Sequence, residues 1–558
     1  MSKRVSASCI SKTLMRRRIL SIVLGLLSVT TAVPLVEPVR AAERVNFNYG
    51  PLDFSISVRS LEVFAKDGTV DSDLAFLVNR LKPEQREKFR SFLSQRYQFS
   101  STLMAQFFYS SLGERLLTYM GELIQLPADQ NGLYGIRAAL IQASADPEGL
   151  SAIGFMKKFP TNMRLNTKRI LEQWNQISTL LKETETYVSA LKQTSASVKA
   201  TEPSTDFEQL PNLQNPGPYT YVKQTKMLRD GNRQRDMMAL LYLPNVPEGK
   251  SVPVVVITNG IGTRIDLYDY LAQHMASHGF AIAIPQHPGS DDKQREAFLE
   301  GRASDLFESA AFVDRPQDIT FLLDELERLN PTEFKNQLNL KQVGVFGNSF
   351  GGDTALAVSG AKIDFDQLEA DCSPQKNLVN VSLLVQCQAL ELPRKDYNFR
   401  DPRIKAASVL FPGSSSLYGQ SGLSQIQIPV LWGAVSKDMF SSLVLEQLPA
   451  FNALQTDDKY LVVAEGVDHL NLNFYALRTL KTMDKVEAEA VTVQAPEAAK
   501  VYLKALSLAF FQVYLADRSD YRSYLSYAYA QSISQDSYNF ILLRSLNGVY
   551  SSNQEIAN

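Results

Sequence analysis

The apolar positions of this chain follow two different rhythms. From residue 44 to about 195 they recur at helical spacing, as in Leu74, Leu77, Val78 and Leu81, which form one stripe of a helix. The breaks between such stretches carry helix punctuation: Gly68 can end one helix, Ser72 can N-cap the next, and Pro83 suits the first turn of a third. This predicts an all-α front domain over residues 44–195, with a longer helix from Thr167 to Lys192. Residues 196–218 then turn to Ser, Thr, Pro, Asn and Gly, the composition of a linker.

Beyond residue 219 short unbroken apolar runs replace the helical spacing. Val252–Thr258, Phe280–Ile284, Gln342–Phe346, Lys405–Phe411, Ile428–Trp432 and Tyr460–Val463 read as strands, and Asp266–His278 and Pro316–Leu329 as helices. Buried strands alternating with helices specify a mostly parallel sheet covered on both faces, so residues 219–486 are expected to form one α/β domain. Tyr219–Leu228 and Asp236–Leu243 read as two antiparallel strands at its front edge. Residues 361–401 interrupt the strand order and are expected to form a lid-like insertion. Residues 487–558, rich in Tyr and Phe, are expected to form a helical C-terminal extension.

The first forty residues follow neither rhythm. Arg16, Arg17 and Arg18 precede an apolar run from Ile19 to about Val33, too short to span a bilayer comfortably, and Val39-Arg40-Ala41 offers small residues where a signal peptidase cuts. Residues 1–41 are therefore expected to be a signal peptide, the alternative being an uncleaved anchor. The expected destination is the periplasm, thylakoid lumen or extracellular space. Cleavage would remove seven of the 57 basic and one of the 59 acidic residues, leaving 50 against 58 and a net charge near −8. A mildly acidic exported chain has no electrostatic case for nucleic acid. Cleavage also removes Cys9 and leaves Cys372 and Cys387, which an oxidising compartment is expected to pair as a disulfide rather than keep as two buried thiols. Four histidines and three cysteines in 558 residues argue against a zinc module or a histidine-rich metal store, and no cofactor or metal is expected.

The strand Gln342–Phe346 runs directly into Gly347-Asn348-Ser349-Phe350-Gly351-Gly352, with a helix expected from about Asp353. Small residues on both sides of a serine suit a very tight strand-to-helix turn, which lifts the hydroxyl over the C-terminal edge of the sheet at a helix N-terminus. Such a hydroxyl needs a base within hydrogen-bond reach and a carboxylate to orient that base. Asn259-Gly-Ile-Gly262, Pro285-Gln-His-Pro-Gly289, the serine turn, and the loops carrying Asp438 and His469 together resemble the α/β-hydrolase superfamily. Within it they resemble in particular the branch of platelet-activating-factor acetylhydrolases and dienelactone hydrolases. The front helical region resembles an uncharacterised domain found ahead of such hydrolases in cyanobacterial exported proteins.

The resemblance implies an α/β-hydrolase fold and a serine, acid, histidine order along the chain. Only His469 of the four histidines follows Ser349, which makes it the expected base. Asp438, in the loop after the strand Ile428–Trp432, is the expected acid, with Asp468 and Glu465 as alternatives. The backbone N–H groups of Phe350 and Ile261 are the expected oxyanion donors. His274 and His278 read as packing or surface residues, and His287 as a pocket candidate. Two positions depart from the pattern of relatives, Asn259 and Asn348, where histidine is common; neither supplies a triad group.

These features describe an exported serine hydrolase, esterase- or lipase-like, that cleaves carboxylic esters through an acyl-enzyme on Ser349. The expected lid and the aromatic extension favour hydrophobic or lipid acyl esters, and a lipid substrate would bring peripheral membrane contact. Two alternatives stay open: an acyltransferase using the same acyl-enzyme, and a non-catalytic binding protein on a hydrolase fold.

Overall fold

The computed structural model describes residues 41–199, 202, 204–373, 379–466, 497–534, 538–547 and 549. The expected signal segment, residues 1–40, lies outside them, as do Asp468 and His469.

The front unit has its own apolar core, built around Phe64, Leu74, Leu117, Ile136 and Phe159, each almost fully buried. It contains the expected helices: α1 (Val58–Asp67), α2 (Ser72–Val78), α3 (Pro83–Ser94), α4 (Ser101–Tyr109), α5 (Ser111–Leu123), α6 (Leu133–Ser144) and α7 (Ala152–Lys158). Gly68 ends α1 in the left-handed region at φ 81°, and Pro83 opens α3; the N-cap of α2 is Asp71 rather than Ser72. The unit is not all-α. Strands β1 (Arg44–Tyr49) and β2 (Leu52–Ser57) form a hairpin in which Phe47 faces Phe54, their rings 5.7 Å apart. With β3 (Ile124–Leu126), β4 (Gln130–Asn131) and β5 (Met163–Leu165) they make a five-stranded sheet in the order β2-β1-β5-β3-β4. The alternation of Val45 and Phe47, then Phe54 and Ile56, about Gly50-Pro51 has the period of a strand. The other three strands are two or three residues long, too short for any period to register.

A single helix of 33 residues, α8 (Thr167–Lys199), extends past the expected end at Lys192 and is about 50 Å long at 1.5 Å per residue. Its far half reaches the second unit, where Tyr187, Val188 and Leu191 enter a core cluster. Of the stretch expected to be a linker, residues 204–218 pack against the second unit. Leu213 is buried, the Tyr524 hydroxyl donates to the carbonyl of Pro211 at 2.8 Å, and the Gly217 amide donates to Ser277 Oγ at 2.8 Å.

The second unit is built on a nine-stranded sheet. Its strands are β6 (Tyr221–Asp230), β7 (Arg235–Pro244), β8 (Val252–Thr258), β9 (Ala281–Pro285), β10 (Leu338–Asn348), β11 (Ile404–Leu410), β12 (Val430–Val435), β13 (Lys459–Glu465) and β14 (Asn539–Leu543). Their order is β14-β13-β12-β11-β10-β8-β9-β7-β6. From β9 to β13 all neighbours are parallel; β6 and β7 form the expected antiparallel edge. The pleat divides each central strand between two cores: Val254 and Val256 join one cluster, Val255 and Ile257 the other. Helices α9 (Asp269–Ser277), α10 (Asp292–Leu299), α11 (Ala311–Leu329) and α12 (Phe350–Ser359) follow β8, β9 and β10. Burial on both faces is why these strands read as continuous apolar runs.

Within residues 361–401, α13 (Phe365–Asp371) leads to the disulfide between Cys372 and Cys387, whose Cα atoms are 5.7 Å apart. The insertion is fastened by the buried carboxylate of Glu446, which accepts from Asn380 Nδ2 at 2.6 Å, Ser382 Oγ at 2.6 Å and Gln386 Nε2 at 2.9 Å. The C-terminal extension is only partly helical. Helix α14 (Glu497–Leu515) covers one face of the sheet with Leu506, Phe510 and Phe511, but Asn539–Leu543 is β14, antiparallel to β13. The run Asn-Phe-Ile-Leu-Leu is five residues long, a length at which strand and buried helix look alike in sequence.

Candidate active site

Ser349 stands at the end of β10 with φ 51° and ψ −127°, a conformation L-residues rarely adopt. The turn is held by close backbone approach on both sides. A Cβ on Gly347 would lie 2.1 Å from the carbonyl oxygen of Gly351, and a Cβ on Gly351 would lie 2.1 Å from that of Thr258. Any larger residue at either position would therefore force the turn apart. The Ser349 amide is tied to the carbonyl of Leu410 on β11 at 2.9 Å, and the hydroxyl-bearing residue itself is half-buried.

The same contacts bring the loop after β8 against the serine, since a Cβ on Gly260 would sit 3.5 Å from Ser349 Cβ. Three consecutive amides in this loop have separate fates. Gly260 N–H donates to Asn348 Oδ1 at 3.2 Å and Gly262 N–H to the carbonyl of Ser290 at 2.8 Å. The N–H of Ile261, between them, has no partner among the described residues, and neither has that of Phe350, the first residue of α12.

Behind this loop lies a buried charged network. Arg315, on α11 and 1% exposed, donates through Nη2 to the carbonyl of Asn259 and to Thr258 Oγ1 at 3.3 Å, through Nη1 to Ser290 Oγ at 3.2 Å, and through Nε to Thr354 Oγ1 at 3.1 Å. Its guanidinium also stands 5.0 Å from the centre of the Phe350 ring. Asp318 is fully buried and accepts from Arg235 Nε and Arg233 Nη2, each at 2.9 Å. His287 bridges the two halves: Nδ1 lies 3.0 Å from Asp318 Oδ2 and Nε2 lies 3.0 Å from Thr258 Oγ1. Because a carboxylate only accepts, Nδ1 carries the proton, and Nε2 accepts from the threonine hydroxyl. Burial, with the charge of Arg315 nearby, holds the ring neutral and its pKa down to about 4. His287, expected as a pocket candidate, is 3% exposed with both nitrogens engaged. It braces the end of β8, from which the loop springs.

Asp438 lies three residues past β12, 6% exposed, and its Oδ1 accepts from the amides of Phe440 at 2.9 Å and Ser441 at 2.7 Å. Its loop is tied to the segment leading towards His469, because the Gly466 amide donates to Ser436 Oγ at 2.9 Å. Glu465 is directed elsewhere: its Oε1 pairs with Lys192 Nζ of α8 at 2.5 Å and its Oε2 accepts from Asn539 Nδ2 at 3.0 Å. His274 is buried and desolvation lowers its pKa to about 3; its ring lies 4.7 Å from that of His278, tilted by 60°.

Sequence reasoning missed Arg315, Asp318, Asp353 and Glu446. Asp353, in the first turn of α12, is fully enclosed, and burial together with the charge of Glu446 raises its pKa well above the usual carboxylate range. Nothing in a linear pattern separates these residues from the surface carboxylates and arginines around them.

No curated protein matches the chain. Residues 41–166, the front unit, are similar to a family described as "Alpha/beta hydrolase of unknown function (DUF1400)". That similarity, with the strand order and the strained serine turn at the end of β10, identifies the architecture as the α/β-hydrolase fold.

Proposed function

We propose that the protein is an exported serine hydrolase of carboxylic esters, with hydrophobic or lipid acyl esters as substrates. In this reading Ser349 Oγ attacks the ester carbonyl while His469 takes its proton, forming a tetrahedral oxyanion. The intermediate collapses by breaking the bond to the alcohol, which leaves with the proton from His469. Water, deprotonated in turn by His469, then attacks the acyl-enzyme and releases the acid with Ser349 restored. Asp438 orients the histidine throughout.

The observation that carries this reading is the pair of N–H groups, Ile261 and Phe350, that have no partner among the described residues, beside a serine held at positive φ. Two free donors beside the serine suit a developing oxyanion, and the buried guanidinium of Arg315, bonded to the carbonyl of Asn259, adds a fixed positive charge nearby. The network around Asp318 gives the site a rigid back wall.

The N-terminal pattern of residues 1–41 and the Cys372–Cys387 disulfide support export to the periplasm, thylakoid lumen or extracellular space. Kinship with the acetylhydrolase and dienelactone hydrolase branch belongs to the same proposal, as does peripheral membrane contact at a lipid substrate. Labelling the full chain with a fluorophosphonate probe tests the reaction class: labelling that disappears in Ser349→Ala supports it, and an unlabelled native chain overturns it. A series of p-nitrophenyl esters, run with and without competing alcohols, then separates hydrolysis from acyl transfer and gives the acyl length.

A further inference from the structure

The front unit encloses a cavity of about 640 Å³, within the range of small-molecule sites. It lies between the small sheet and the helices, bounded by Phe47 of β1, Phe89 of α3, Met120 of α5, Leu140 of α6 and Phe155 of α7. All its lining residues fall between Val45 and Ile170, so it is separate from the serine turn, and every one of them up to Leu165 lies inside the segment that matches the family. Among the described residues no Asp, Glu, Lys, Arg or His lines it.

The few polar groups of the wall are informative. Ser151 Oγ is occupied, accepting from the Gly154 amide as the N-cap of α7. The hydroxyl of Thr167, at the start of α8, is buried and has no hydrogen-bond partner among the described residues. The mouth is largely apolar, with Gln95 as an exposed polar residue of its lining. Phe92 and Tyr97 line the cavity yet are 62% and 42% exposed, and along α8 Leu171 and Trp174 follow the lining residue Ile170 at 51% and 67% exposure. A natural core closes over a void of this size because empty apolar space forfeits dispersion contacts. A wall without charge, one unanswered hydroxyl and a largely apolar mouth carrying Gln95 fit a long aliphatic chain with a small polar end.

We infer that the front unit is a binding site for a single long-chain aliphatic ligand, a fatty acid or the acyl chain of a lipid, received between Phe92, Tyr97 and Trp174. The site is distinct from the serine turn and stands whether or not Ser349 is a nucleophile.

The test uses the full chain carrying Ser349→Ala, titrated with cis-parinaric acid as the fluorescent probe. One saturable site per chain, competed by palmitic acid and not by acetate, is expected. Ala152→Trp and Met156→Trp, which fill the cavity, should each weaken the dissociation constant by about tenfold or more. A diazirine analogue of palmitic acid, photolysed with the unsubstituted chain, should label peptides within residues 45–170, a readout that does not depend on the folding of any variant. No saturable binding, one probe per two chains, native affinity in both filled variants, or labelling confined to residues beyond 219 would each overturn the inference.

Discussion

The backbone amide of Gly260 donates to the side-chain oxygen of Asn348, the residue immediately before Ser349, at 3.2 Å. One hydrogen bond thus joins the loop carrying Ile261 to the turn carrying the serine and, in the proposed mechanism, keeps the Gly260 amide from competing for the oxyanion. Replacing Asn348 by Ala leaves a buried donor unpaired, a loss of about 1–3 kcal/mol. Fluorophosphonate labelling of Asn348→Ala should slow roughly tenfold, with ester turnover falling through kcat more than KM. Unchanged labelling would show that the loop holds its place without this bond.

Ser349 is held at φ 51°, a conformation that costs a non-glycine residue about 1–3 kcal/mol. Ser349→Gly should therefore raise the melting temperature while abolishing fluorophosphonate labelling. Ser349→Ala keeps the strain and should melt close to the native chain. A glycine variant less stable than the alanine variant would mean that the turn is not strained.

The ring of His287 is neutral in the fold down to about pH 4, whereas in the unfolded chain it protonates near 6.5. Between those values the unfolded state binds the extra proton, so stability is present above pH 6.5 and declines as pH falls towards 4. His274, lowered to about 3, adds a loss of the same sign. Urea midpoints measured from pH 7.5 to 4.5 should fall, and His287→Asn should flatten the slope.

The disulfide closes a loop with a sequence separation of 15, for which the chain-entropy account gives about 3 kcal/mol. Cys372→Ser with Cys387→Ser should lower the urea midpoint to match. Because Glu446 fastens the same insertion through Asn380, Ser382 and Gln386, the reduced chain should keep its fold. Loss of native circular dichroism on reduction alone would show that the carboxylate anchor is insufficient.

The central sheet was legible in the sequence because burial on both faces writes each strand as an unbroken apolar run. The serine turn was legible because sterics demand Gly347 and Gly351 beside Ser349. The hairpin β1–β2 carried a period-two signal that the helical stretches after it masked. Strand β14 is ambiguous by length, its partner β13 lying 74 positions earlier at Glu465. Arg315, Asp318 and Glu446 were illegible for a different reason: a charged residue is presumed exposed until its partners are known, and these partners come from helices and strands far apart in the chain.

The pairing of β14 with β13 sets an order of events during synthesis. Until residues 539–543 are made, β13 has one side open, a row of unpaired amides and carbonyls of the kind that recruits strands from other molecules. The nascent second unit therefore emerges with an adhesive margin beside the strand that leads towards His469, and only late residues seal it. A chain interrupted between residues 466 and 538 would carry that margin permanently, so premature termination there should yield aggregates rather than a weakly active enzyme.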